Sequence, residues 1–165
     1  MRYLLISLLA IGLFATSCVN EDQQTVQATD RVHASDPIPM ALDHEPYQIE
    51  DSLAIIRLEN GVSLYFVEKG EGKMPGPNGS AEVHYEGRLK DGKIFDSSYD
   101  RAKPMRLYME DIISGLRIAL TEVPEGSKVK IMVPAPMAYG DSMPPNSIIP
   151  PNADLSFDVE VLDVR

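Results

Sequence analysis

The stretch Val83-His84-Tyr85-Glu86-Gly87-Arg88-Leu89-Lys90-Asp91-Gly92-Lys93-Ile94-Phe95-Asp96-Ser97-Ser98 decides the fold. Its first half alternates, with Val83 and Tyr85 on one face and His84 and Glu86 on the other. That is the period of a half-buried strand, and it runs over Ala81–Lys90. Asp91-Gly92 suits a tight two-residue hairpin turn whose central residues both take positive φ. Lys93–Asp96 then returns as the partner strand.

The same texture extends in both directions. Upstream, Val62–Glu68 reads as a strand, and Lys69–Ser80, with four Gly and two Pro, reads as a loop. Downstream, Ile112, Leu116, Ala119, Leu120 and Val123 have helical spacing, and Pro124-Glu125-Gly126 ends that helix. Lys128–Pro134 alternates again around Val129, Ile131 and Val133. So does the C-terminal run, with Leu155, Phe157, Val159 and Val161 set against Ser156, Asp158 and Glu160. One helix among antiparallel strands predicts an α+β fold, a twisted antiparallel sheet wrapped around one helix, over residues 61–165. Before it, Ile49, Leu53 and Ile56 have helical spacing and Asn60-Gly61 is a helix stop, which predicts a short helix over Asp51–Glu59 within a helical lead-in at 49–60.

Residues 18–48 have no sustained period and carry Pro37, Pro39 and Pro46 among Gln, Asp, Thr and Ala. Such a segment cannot bury enough apolar area to offset its ordering entropy, and it reads as a flexible linker. Residues 1–17 have the three-part build of a secretory signal: Arg2, an apolar run from Tyr3 to Ala15, then small residues. The run falls short of the about 20 residues that span a bilayer. Cys18 follows directly, which resembles the acylation box of bacterial lipoproteins with Ala15 in place of the usual Leu. The expectation is an exported bacterial lipoprotein, periplasmic or at the cell surface, attached to the membrane through a lipid on Cys18 and not otherwise. An ordinary signal peptide followed by an unmodified cysteine is the alternative.

Composition narrows the function. The chain has 165 residues, 44% of them hydrophobic, and a net charge of −10 from 15 basic and 25 acidic residues. A surface of that sign repels phosphate backbones, so no nucleic-acid partner is expected. One cysteine makes neither an intramolecular disulfide nor a cysteine metal site. His33, His44 and His84 are too scattered to show ligand spacing, so no metal is expected and each reads as an exposed or strand-edge histidine. Gly87–Ile94 nearly matches a phosphate-binding loop, but lacks the Ser or Thr that must reach magnesium and falls in a hairpin. Ser97-Ser98 has no nucleophile elbow and no histidine that spacing would bring near; both read as polar turn residues. Asn78-Gly79-Ser80 is a glycosylation pattern that reads here as a turn.

Three stretches, in order, resemble the FKBP-type peptidyl-prolyl cis-trans isomerase family: Val83–Ser98, Ala138-Tyr139-Gly140, and Ile148-Ile149-Pro150-Pro151-Asn152-Ala153-Asp154-Leu155-Ser156-Phe157-Asp158-Val159-Glu160. The resemblance covers most of the last 105 residues. It implies an isomerase that assists folding of exported proteins by twisting X–Pro bonds in an apolar pocket between sheet and helix, without a cofactor. It implies substrate contacts from Tyr85, Phe95, Met105, Ile112, Leu116, Ile149 and Phe157. It assigns Tyr139 a hydroxyl proton for a substrate carbonyl and Ile113 a backbone N–H for another. Asp96 is assigned to orienting the pocket, through Arg101 or Tyr85, and to the electrostatics near the twisting bond; no proton transfer is required of it.

Several positions depart from the family. Leu116 stands where a Trp usually forms the pocket floor, and Met105 replaces a common aromatic. The segment from Leu107 to Ile112 is shorter than usual, and that from Gly140 to Ile148 slightly longer. These changes imply reduced affinity for macrolide inhibitors. They also favour a second reading, a catalytically weak proline-peptide binding module or holdase. The Gly140–Ile148 loop is too short to carry an inserted chaperone domain, and with no long heptad helix before the domain the expected state is a monomer.

Overall fold

The computed structural model describes residues 44–58, 60–143 and 146–165. The expected signal sequence, Cys18 and most of the expected linker lie outside the described residues. Seven strands form one sheet: β1 (Ala54–Arg57), β2 (Ser63–Glu68), β3 (Ser80–Leu89), β4 (Ile94–Ser97), β5 (Met105–Tyr108), β6 (Lys128–Val133) and β7 (Leu155–Val164). The single α-helix, α1 (Ser114–Leu120), precedes β6, and one 3₁₀ turn (Ala135–Met137) follows it. The order across the sheet is β1-β2-β6-β7-β3-β4, all antiparallel, with β5 also paired to β3. The α+β class read from the sequence is the observed one.

Alternation builds the core. Leu64 and Phe66 of β2, Val83 and Tyr85 of β3, Val129, Ile131 and Val133 of β6, and Leu155, Phe157 and Val159 of β7 are all buried, in one cluster with Leu116, Ala119 and Leu120 of α1. The helix lies close on β6: a Cβ on Gly115 would run into Val133. Truncating a fully buried member such as Ile131 to Ala costs about 2–5 kcal/mol.

The helix expected over Asp51–Glu59 is not formed. Ala54–Arg57 is an edge strand paired with β2, from Ala54 opposite Phe66 to Arg57 opposite Ser63. The spacing of Ile49, Leu53 and Ile56 misled because Leu53 and Ile55 face solvent. The β-branched pair Ile55-Ile56 prefers a strand, and Gly61, at φ +85°, closes the turn that presents this segment to β2. An isolated helix of that length is marginal, whereas a strand finds its backbone partners ready-made. The folded unit therefore begins before residue 61.

The Asp91-Gly92 hairpin forms with a different loop. Only Gly92 has positive φ, at +87°. Leu89 and Lys93 close a three-residue loop, with Leu89 N–H donating to Lys93 O at 2.9 Å and Gly92 N–H to Leu89 O at 2.9 Å.

The end of the expected linker packs down. The segment from His44 crosses the outer face of the sheet, away from α1. The His44 ring stacks on Tyr99 (centroids 4.3 Å apart) and Tyr99 on His84 (4.9 Å). The Tyr47 N–H donates to Asp158 Oδ2 at 3.2 Å. Asp158 is buried there and accepts a hydrogen bond from Lys130 Nζ, directly opposite on β6, at 2.6 Å. His44 and His84 are thus neither exposed nor unrelated: 40 residues of chain separate them, and one tyrosine ring joins them. Burial lowers the pKa of His44, against the pull of the Asp158 and Glu86 carboxylates.

Candidate active site

The site is organised by a gap along one edge of β3. β5 pairs with Ser80–Val83 and β4 with Glu86–Arg88, so His84 and Tyr85 have no strand partner on that side. Ser98 fills the gap. Its N–H donates to Tyr85 O at 2.9 Å, its Oγ accepts the Tyr85 N–H at 2.8 Å, and its hydroxyl also lies 3.2 Å from Tyr85 O. His84 Nδ1 is 3.0 Å from the same Oγ. The histidine that spacing did not bring near Ser98 is therefore present, on the adjacent strand. Ser98 is fully buried and engaged by Tyr85 on both sides, so it is a structural bridge and not a nucleophile.

Having left the sheet at Ser98, the chain returns at Met105. The excursion brings Arg101 over the end of Tyr85. Arg101 Nη1 donates to Asp96 Oδ1 at 2.6 Å and Nη2 to the Tyr85 hydroxyl at 3.2 Å. The guanidinium carbon sits 5.8 Å from the centre of the Tyr85 ring. The Tyr85 hydroxyl donates to Asp96 Oδ2, and Met105 Sδ lies 3.6 Å from it. Both carboxylate oxygens of Asp96 are thereby engaged.

The neighbours Phe95 and Asp96 both reach the core side of β3, which a regular strand forbids. A bulge permits it. Arg88 pairs with Ile94 and Gly87 with Asp96, leaving Phe95 as an extra residue. Phe95 lies over Gly87, where a Cβ would come within 2.5 Å of its Cζ. Its ring meets Phe157 edge to face, centroids 5.7 Å apart. Phe157 pairs with Gly87 from the other side, across β7. Gly87 is a residue the sequence reading passed over, although a glycine inside a strand signals a close approach.

The remaining site residues are less tightly joined. Leu116 and Ile149 are buried in the core cluster with Tyr85 and Phe157, and Phe95, Ile112 and Ile113 pack against it. Ile113 precedes α1 with an extended ψ of 147°. Its N–H has no acceptor among the described residues, whereas its carbonyl accepts from Arg117. Met105 and Tyr139 are each 44% exposed, and the Tyr139 hydroxyl makes no hydrogen bond among the described residues. Tyr139 stands at the surface apart from the buried group, whereas Met105 joins it through the contact of its Sδ with the Tyr85 hydroxyl.

The family model that matches residues 72–162 is the FKBP-type peptidyl-prolyl cis-trans isomerase. This chain belongs to that family. The FKBP-type isomerase FkpA of Escherichia coli K12 is 40% identical over 105 residues, 64% of this chain and 38% of that protein. The isomerase Mip of Coxiella burnetii is 38% identical over 108 residues, covering 66% and 46%. The match thus spans less than half of either curated relative. A crystal structure of E. coli FkpA superposes with a TM-score of 0.63 at 38% identity, covering 67% of this chain and 51% of that one. A peptidyl-prolyl cis-trans isomerase from Pseudomonas syringae gives the same TM-score at 34% identity, covering 70% and 84%.

The electrostatics of the polar group have a clear sign. Burial raises the pKa of Asp96, but the hydrogen bonds from Arg101 and Tyr85 outweigh it and hold the carboxyl below its ordinary value of 3.8. Burial, reinforced by Asp96, pushes the Tyr85 phenol up to about 12. Because the folded pKa of Asp96 is depressed, whatever stability its charge contributes is present above the unfolded value and is lost as pH falls through the folded one. The pair is well hydrated, so that contribution is small. An NMR titration of the Asp96 carboxyl carbon is expected to give a midpoint below 3.8 in the native protein and a higher one in Arg101→Ala.

Proposed function

We propose that the chain is a peptidyl-prolyl cis-trans isomerase acting on proline-containing segments of exported proteins. The observation that carries the reading is the junction of an apolar aromatic pair, Phe95 and Phe157, with the Tyr85–Asp96–Arg101 group. Rotation about X–Pro needs no covalent step. Its barrier, about 18–20 kcal/mol for an amide, reflects resonance lost on twisting. The planar amide is more polar than the twisted one, so apolar walls disfavour the ground state more than the transition state.

In this reading the proline ring enters beside Phe95 and Phe157, above Leu116 and Ile149, with Met105 and Ile112 as further contacts. The Ile113 N–H, free of any acceptor among the described residues, donates to one substrate carbonyl. The Tyr139 hydroxyl, exposed and unengaged among the described residues, donates to another. Asp96 stays ionised at the rim and fixes Tyr85 and Arg101. It places negative charge near the twisting bond and moves no proton. Without the flat contact of a Trp floor, Leu116 lowers affinity for macrolides. The protein works as a monomer without cofactor.

NMR exchange on short Xaa-Pro peptides tests this. The wild type is expected to accelerate isomerisation. The double variant Asp96→Ala, Tyr139→Phe, still folded, is expected to lose roughly 10–100-fold, the rate equivalent of the about 1.5–3 kcal/mol of a hydrogen bond to a charged group. Saturable binding without acceleration by the wild type would instead mean a weak proline-binding module or holdase.

We further propose that the protein is exported and lipid-anchored at Cys18 in the envelope. The support is the basic start, the apolar run and the small residues before that cysteine. Among the described residues no helix is long and apolar enough to cross a membrane. Labelled palmitate is expected to be incorporated and to be lost in Cys18→Ala; labelling that survives the substitution would exclude that residue.

A further inference from the structure

On the outer face of the sheet, opposite the aromatic pair, three side chains converge: His44, Glu86 of β3 and Asp158 of β7. One ligand atom from each lies within 4.8 Å of the others. His44 Nε2 is 3.9 Å from Asp158 Oδ2. The His44 side chain is only 9% exposed, yet its Nε2 has no hydrogen-bond partner among the described residues. Glu86 is buried too, and its Oε1 receives no aligned hydrogen bond, although the Arg88 guanidinium lies against it. A buried imidazole nitrogen aimed at two buried carboxylates, with nothing to bond, is an arrangement that folded chains ordinarily avoid.

We propose that His44, Glu86 and Asp158 form a binding site for a divalent transition-metal ion of the zinc class, which clamps the segment before β1 to the outer face of the sheet. The donor set, one imidazole nitrogen and two carboxylate oxygens, is one that zinc accepts. Donor atoms around tetrahedral zinc stand roughly 3.3 Å apart, given metal–ligand bonds of about 2.0–2.2 Å. The three side chains therefore close by about an ångström on binding. The neighbours already orient the ligands. Lys130 Nζ holds Asp158 Oδ1 at 2.6 Å and turns Oδ2 toward His44. The Tyr47 N–H takes one lone pair of Oδ2 at 3.2 Å and leaves the other. The Tyr99 ring holds the imidazole plane by stacking. Outer contacts of this kind fix ligand orientation in metal sites. Arg88 and Lys130 balance the two carboxylates, so the site without metal carries no net charge and the ion adds its own.

The site couples two parts of the chain. His44 lies near the end of the segment expected as a linker, whereas Glu86 and Asp158 belong to the two strands that also carry Tyr85, Gly87 and Phe157. Metal binding would fix the place where the linker joins the domain without touching the aromatic pair.

Calorimetric titration of the full chain with zinc chloride tests it, beside thermal melts with and without a chelator. The expected result is one zinc per chain, a melting temperature raised by zinc and lowered again by chelator, and little response to magnesium. His44→Gln keeps a planar polar side chain and removes the ligand. It is expected to fold and to lose at least about 100-fold in zinc affinity, more than the range for losing an outer contact. Cys18→Ser and His33→Ala are expected to leave the binding unchanged. The proposal is overturned if the wild type shows neither heat nor a zinc-dependent melt, or if binding survives His44→Gln and disappears with Cys18 or His33. It is equally overturned if the melt follows pH through a histidine while ignoring zinc, for then the three groups form only a protonation-dependent ion pair.

Discussion

The hydrogen bonds between Ser98 and the main chain of Tyr85 hold the site together. β3 needs partners along both edges, and on one side β4 and β5 leave a break at His84 and Tyr85. Ser98 satisfies the exposed backbone of Tyr85 there. A buried N–H left without that partner would cost about 1–3 kcal/mol. With the break sealed, the chain can leave the sheet at Ser98 and return at Met105. That excursion is what delivers Arg101 to Asp96 and to the Tyr85 ring. Without a break the strand would continue, and no cation would stand over the carboxylate.

Two smaller devices complete the arrangement. The bulge at Phe95 places consecutive residues on one side of the sheet, so an aromatic wall and a carboxylate stand side by side. Gly87 supplies the floor space that the Phe95 ring occupies. Each is a local departure from regular strand geometry, and each falls on the same cross-strand row, Asp96–Gly87–Phe157. The strands then serve two purposes at once. On the core side, β3 and β7 present Tyr85, Gly87 and Phe157. On the outer side they present His84, half-buried, and Glu86 and Asp158, buried where the segment from His44 covers them. Polar groups on both faces are expensive to bury, and most of them are paired: Asp96 with Arg101 and Tyr85, Asp158 with Lys130. The pairing fails beside Asp158, at His44 Nε2, Glu86 Oε1 and Arg88 Nε.

Much of this was legible in the sequence, and the exceptions share a cause. β2, β3, β6 and β7 announced themselves through alternation, because each turns an apolar face to the core, and β4 through the Asp91-Gly92 turn before it. The motif around Tyr85, Phe95 and Asp96 is contiguous, so its residues could be read together. The misread elements depend on pairings that local spacing does not show. Ile49, Leu53 and Ile56 fit a helix until β2 offers Ala54–Arg57 an edge. β5 is only four residues long and was not foreseen, since its pairing comes entirely from β3. The packing of His44 depends on Tyr99, and the contact of His84 with Ser98 on the gap in β3; neither leaves a mark in local spacing. Asp91-Gly92 correctly signalled a turn, but the register of the bulged strand beyond it decided the loop length.

In the proposed reaction a prolyl ring sits against the Phe95–Phe157 pair, beneath the carboxylate held by Arg101 and Tyr85. Intermolecular NOEs between the proline ring protons of a bound Xaa-Pro peptide and the protein test that placement. Contacts to the rings of Phe95 and Phe157 and to the methyls of Leu116 and Ile149 are expected. Contacts confined to the outer face, around Tyr47, Lys130 and Ser156, would contradict it.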